Sequence, residues 1–318
     1  MSENKEAKEI VKTTVRIIPR LDVKGPNLIK GMSFDGWRVL GTPEFFARKY
    51  NEAGADELIY QDSAASLFQR EPMLDVISRT ARETSVPLTV VGGIRRVEDI
   101  RKILKAGADK VAINTAAIRN PELVRDARRV FGAQCIALSI EAQRDRCGNY
   151  ECFVDYGRQR TGVFALEWAQ RAVELGAGEI LLTSIDREGT GEGFDLELTK
   201  LIADAVPVPV IACGGAGKAK DFSEAINVGH ADAVSAASVF HYNYAEQVDS
   251  MWMQLNEPRL RSGENLDSGN IDFLNFGYGG LRDVPVEPIS IPEVKNYLAE
   301  EGIPIRRDKN APEYLAAE

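Results

Sequence analysis

Residues 54–62 read GADELIYQD, residues 86–100 VPLTVVGGIRRVEDI and residues 106–118 AGADKVAINTAAI. About 120 residues later the same grammar returns as GAGEILLTS at 176–184, VPVIACGGAGKAKDF at 208–222 and GHADAVSAASVF at 229–240. Any two strand–helix units share apolar runs. They do not have to share a Val-Pro start, a Gly-Gly exit and a Gly/Ala-Asp lead into the next strand. A repeat at this period marks a duplicated supersecondary block, so the chain is read as two four-unit halves closing into one (β/α)8 TIM barrel, an α/β fold.

Working outward, eight short β-branched runs alternate with amphipathic stretches of helical length. They are 15–22, 57–62, 86–93, 109–114, 134–141, 179–184, 208–213 and 231–238. Their near-continuous apolar character suits strands covered on both faces. Thr42-Pro43, Asn120-Pro121 and Ser290-Ile291-Pro292 carry the polar cap or early proline of a helix start. Two segments depart from this pattern. Residues 142–162 read as a small hairpin turning at Cys147-Gly148-Asn149. Residues 243–289, rich in Asn, Asp and Gly, form an insertion between the eighth strand and the last helix, placed on the active-site face. The domain expected is therefore 15–308, with an N-terminal extension at 1–14 and a tail at 309–318.

The 318 residues, 44% hydrophobic, suffice for one barrel or two small domains, so length alone does not choose. A net charge of −9 argues against a nucleic-acid surface. Cys135, Cys147, Cys152 and Cys213 form no C-x-x-C pair and stand apart in sequence from His230 and His241, which points to neither a zinc site nor a disulfide framework. No apolar run reaches membrane-spanning length and the charged start lacks a leader-like core, so a soluble, cytoplasmic protein with no metal and no cofactor is expected.

In such a barrel the loops after the strands form the active-site face. Gly93 with Asn114 and Thr115 closes the first half. Gly189, Gly215, Ala237 and Ser238 close the second. Glycines let backbone N–H groups approach an anion, and hydroxyls add donors. Two such sets imply a bisphosphate. Asp22 and Glu141 end strands 1 and 5, equivalent places in the two halves, and form a candidate acid/base pair. Asp62 and Asp186, at or just beyond strand ends, are candidate supporting groups. At the strand starts, Arg16, Glu57, Lys110 and Glu179 could converge on the opposite opening, either as a salt-bridged plug or as something with a further purpose.

The motifs RIIPRLDVK, GADELIYQD, GADKVAINTAAIRNPEL, GAGEILLTSIDREGTGEGFDLEL, VIACGGAG and AASVFH resemble the cyclase subunit family of imidazole glycerol phosphate synthase, over about Val15 to His241 and again at 291–306. The resemblance implies a lyase of histidine biosynthesis. Such an enzyme takes ammonia from a glutaminase subunit docked on the amino-terminal barrel face. It converts a bisphosphorylated formimino-aminoimidazole carboxamide ribonucleotide to imidazole glycerol phosphate and aminoimidazole carboxamide ribonucleotide. It also implies that Asp22 is catalytic, that Lys30 is the family's flexible-loop lysine, that the two glycine sets bind phosphate, and that Arg16, Glu57, Lys110 and Glu179 gate the ammonia passage. The chain departs from the family in four places: Glu141 stands for an aspartate, Val91-Gly92-Gly93 for a glycine triplet, KGPNLIKGMSFDGWRVLG for the usual DGR-type turn after strand 1, and the 243–289 insertion is added. These departures leave two other readings: a paralogue delivering ammonia to another acceptor, as in surface-sugar amidation, and a sugar-phosphate isomerase of the same barrel family.

Overall fold

Alternation along the first strand sets the layering of the whole molecule. In β1 (Arg16–Lys24), Ile17, Leu21 and Val23 pack outward into the main core, while Ile18 belongs to a separate inner cluster. Successive side chains of a strand point to opposite faces, so Arg16, Arg20 and Asp22 share the inner face with Ile18. The computed structural model describes residues 14–245 and 285–306.

The barrel strands after β1 are β4 (Leu58–Asp62), β5 (Leu88–Val91), β6 (Lys110–Ile113), β7 (Ile136–Arg144), β10 (Glu179–Ser184), β11 (Val210–Cys213) and β12 (Ala233–Ala236). All pair in parallel in that order, and Arg16↔Ala233 through Pro19↔Ala236 closes β12 onto β1. This is the eight-stranded barrel expected from the repeat. The inner cluster takes Ile18, Ile59, Val91, Ala112, Ala137, Leu181, Ile211 and Ala233, one from every strand, with Cys213 in addition. It separates a charged layer at the strand starts from a polar layer at the strand ends.

Around the barrel lie α1 (Pro43–Glu52), α2 (Leu74–Arg82), α3 (Val97–Lys105), α4 (Thr115–Arg119), α5 (Glu122–Phe131), α6 (Ala165–Leu175), α7 (Leu196–Ala203), α8 (Ala219–Asn227), α9 (Ser238–Ala245) and a last described helix, α10 (Ile291–Glu300). Pro43 opens α1, and Ser290 caps α10 by accepting from Glu293 N while the Glu293 carboxylate accepts from Ser290 N. Asn120-Pro121 also marks a helix start, with Leu123 N donating to Asn120 O. Asn120 terminates the short α4, and α5 begins only after Pro121. No helix among the described residues is long and apolar enough to cross a membrane.

Two excursions rise from the strand ends. β2 (Asn27–Met32) and β3 (Asp35–Gly41) make an antiparallel hairpin continuous with β1, where the sequence reading had only an unusual loop. Residues 142–162 do turn at 145–149, where Asp145 Oδ1 accepts from Cys147 N and Asn149 N. They carry more than a hairpin, however. β8 (Tyr150–Val154) pairs with β7 and then with a third strand, β9 (Gln159–Phe164).

Most of the expected 1–14 extension, the whole 309–318 tail and most of the 243–289 insertion lie outside the described residues. The described end of that insertion runs across the strand-end face: Glu287 N donates to Gly217 O and Ile289 N to Val239 O.

Candidate active site

The polar layer is built by register. Inward parity places Arg20 and Asp22 on β1 and Glu141 on β7, in the same phase as Ile18 and Ala137. Both carboxyls are buried on the inner face at the strand ends, near enough for the Asp22 charge to act on Glu141. Asp22 Oδ2 accepts from Arg20 Nε at 3.1 Å and from Nη2 at 2.9 Å, and Oδ1 receives a long 3.4 Å contact from Tyr156 Oη. Burial raises the Asp22 pKa above the usual carboxylate range, against the pull of Arg20. Glu141 is pushed up to about 7, chiefly by burial, although Gly157 N donates to its Oε2 at 2.9 Å. A carboxyl near neutrality can give and take a proton at working pH.

Gly93, Asn114 and Thr115 line one small cavity together with Glu141 and Tyr156. Asn114 Nδ2 donates to Phe153 O, while its Oδ1 is buried with no partner. Thr115 Oγ1 accepts from Asp155 N. The first predicted set is therefore assembled beside Glu141.

The second set is distributed over the ends of β10, β11 and β12. Two of its glycines have a packing reason beyond any ligand. A Cβ at Gly189 (φ +73°) would lie 2.5 Å from Gly31 O, and one at Gly215 (φ +107°) would lie 2.1 Å from Gly193 O. The loop after β10 can carry the β2–β3 hairpin only because Gly189 is bare. Ala237 O accepts from Phe240 N and His241 N, so Ala237 and Ser238 form the first turn of α9.

Three further predicted residues occupy different settings. Lys30 belongs to the hairpin that follows β1. It lies on β2 opposite Arg38 and is buried in the mouth, where desolvation lowers its pKa. Asp62 has the outward parity of Leu58 and Tyr60. It accepts from Ala64 N, Ala65 N and Arg70 Nη2 (2.6 Å), shaping the loop after β4. Asp186 is exposed at the rim, where it accepts from Gln143 Nε2 and Arg144 N and so fastens the β7–β8 hairpin.

At the opposite end, Arg16, Glu57, Lys110 and Glu179 converge as the sequence suggested. Arg16 bridges Glu57 and Glu179. Lys110 Nζ reaches Glu57 Oε2 at 3.0 Å and Glu179 Oε2 at 3.1 Å, and Thr89 Oγ1 donates to Glu57 Oε1.

Sequence reading missed Arg20, Glu188 and Tyr156. Arg20 was legible: a residue two before an inward Asp22 also points inward. Glu188 sits in the loop after β10 and Tyr156 at the β8–β9 turn, and no periodicity reaches either.

The histidine biosynthesis protein family matches residues 16–246. The imidazole glycerol phosphate synthase subunit HisF of Alkaliphilus metalliredigens is 51% identical over 230 residues, covering 72% of this chain and 91% of that protein. The subunit of the same name from Legionella pneumophila is 53% identical over 211 residues, covering 66% of this chain and all of that protein. A barrel with these layers, matched over this length, belongs to the histidine biosynthesis protein family and, within it, groups with the imidazole glycerol phosphate synthase subunits.

Proposed function

We propose that the chain is the cyclase subunit of an imidazole glycerol phosphate synthase. It takes ammonia from a glutaminase subunit and converts a bisphosphorylated formimino-aminoimidazole carboxamide ribonucleotide to imidazole glycerol phosphate and aminoimidazole carboxamide ribonucleotide. The observation that carries this reading is the placement of Asp22 and Glu141 together in the mouth, beside the cavity lined by Gly93, Asn114 and Thr115.

The chemistry asks for proton delivery to a departing nitrogen and proton removal from incoming ammonia. Glu141, near pKa 7, suits both directions, and Asp22, held by Arg20, suits the anchoring of a polarised intermediate. One phosphate of the substrate is assigned to Gly93, Asn114 and Thr115, the other to Gly189, Gly215, Ala237 and Ser238, with Lys30 on β2 as a cation for the ligand. The ring of Arg16, Glu57, Lys110 and Glu179 is assigned to ammonia admission, with the glutaminase on that amino-terminal face.

The test is ammonium-dependent turnover of the bisphosphate by the purified chain, with and without Asp22→Asn. Turnover is expected to fall by at least a hundredfold in the variant. Equal turnover in both would remove Asp22 from the reaction, and none in the wild type would remove this substrate.

A further inference from the structure

We propose that Arg20 is a positioning residue of the reaction, a buried guanidinium that holds Asp22 in place and ties it to the two hairpin tips covering the barrel mouth. Its kinetic part rests on the cyclase reading; its structural part does not.

The contacts form a closed ring. Arg20 binds Asp22 through Nε and Nη2, and Nη2 also donates to Glu188 Oε1 at 3.2 Å. The other Glu188 oxygen, Oε2, accepts from Phe34 N at 3.0 Å, and Glu188 O accepts from Ser33 N, so one residue receives the whole tip of the β2–β3 hairpin. The Phe34 ring packs on the Tyr156 ring at 4.2 Å between centroids. Tyr156 Oη returns to Asp22, and its neighbour Gly157 donates to Glu141. Four separate segments thus meet over the acidic pair through five residues, and Arg20 is the one cation among them.

Backbone strain marks the same two tips. Ser33 and Phe34 have φ of +47° and +63°, and Asp155 and Tyr156 have +54° and +57°. Non-glycine residues hold this conformation at a cost, and keep it only where their surroundings over-determine it. Here the surroundings are Glu188 and the Phe34–Tyr156 contact. Beneath this cover the cavity beside Glu141 measures about 30 Å³, room for one or two waters. A bisphosphate requires the tips to part, and Arg20 is placed so that parting and re-closing reset Asp22. A guanidinium is suited to this because its fork serves two carboxylates at once.

The charged and titratable groups acting on Asp22 are Arg20 and Tyr156 from β1 and the β8–β9 turn, Glu188 from the loop after β10, and Glu141 from β7; Cys213 from β11 completes the Arg20 site. Arg20 lowers the Asp22 pKa by its charge and its hydrogen bonds, and the Tyr156 hydrogen bond adds to this.

The experiment compares full-length wild type with Arg20→Met, by amide hydrogen exchange without substrate and by ammonium-dependent kinetics. Exchange at 31–36 and at 154–159 is expected to quicken at least tenfold, with α6 and α8 unchanged. kcat is expected to fall at least thirtyfold with KM changed less than threefold, the acid limb of the pH profile to move upward, and methylguanidinium to restore part of the rate. Unchanged exchange at both tips, or a profile scaled down without moving its limb, would overturn the proposal. If Arg20→Met does not fold, Glu188→Ala replaces it. There, exchange at 31–36 must quicken, and an unchanged tip refutes the ring. A wild type inactive on the bisphosphate defeats the cyclase reading alone, because the exchange arms need no substrate.

Discussion

At the scale of single residues, Glu141 holds the clearest energetic consequence. Its carboxyl titrates near 7 in the folded chain against 4.5 for an ordinary glutamate. Between those values the folded state keeps a proton that the unfolded chain has released. Stability therefore falls as pH rises through 4.5 to 7, and the full cost, about 3 kcal/mol, is present above that window. Glu141→Gln removes the titration. The variant is expected to exceed the wild type in urea midpoint at pH 8 and to match it near pH 4.5, while losing turnover. A pH-independent difference in midpoint would place the strain elsewhere. His241 offers a contrast: burial lowers its pKa to about 3, and its Nδ1 meets Tyr50 Oη within an aromatic cluster with Phe46. This histidine is a neutral core residue.

Among the secondary-structure elements, the β2–β3 and β8–β9 hairpins separate this molecule from a bare barrel. The first is seated on Gly189, whose φ of +73° and contact with Gly31 O exclude a side chain. Gly189→Ala is expected to cost about 1–2 kcal/mol from the left-handed backbone alone, and more from the backbone contact. The resulting displacement of Lys30 and Phe34 should raise the KM for the bisphosphate. Urea melts and steady-state kinetics measure the two effects. Wild-type values for both would mean that the hairpin is held by Glu188 without help from this glycine. Legibility divided along the same line. The barrel strands and Gly-Gly exits were readable because their period and turn chemistry are local. The β2–β3 hairpin lacks that signal: Leu28-Ile29 and Val39-Leu40 are adjacent apolar pairs, all buried, and its pairing carries register shifts.

Across the whole molecule, the inner apolar layer divides two chemistries. The charged ring at the strand starts and the acidic pair at the strand ends lie on opposite sides of it, so the ammonia admission proposed for the one and the turnover proposed for the other can be tested separately by mutation. Lys110→Met removes one of the two cations that link Glu57 to Glu179, while Arg16 still pairs with both. Glutamine-dependent turnover with a glutaminase present is expected to fall at least fivefold relative to ammonium-dependent turnover. A parallel fall in both rates would make the ring a structural plug.

The sequence by itself determined the duplicated eight-unit barrel, the acidic pair Asp22 and Glu141, the first glycine and hydroxyl set and the four charges at the strand starts. Each follows from period-two alternation and from a repeat that fixes equivalent places. Only the tertiary structure decided that Arg20 sits between Asp22 and Glu188, that Tyr156 and Phe34 close the mouth, and that Asp62 and Asp186 shape loops. Those contacts join residues up to 168 positions apart, brought together by barrel closure and by two hairpin tips whose geometry no local pattern encodes.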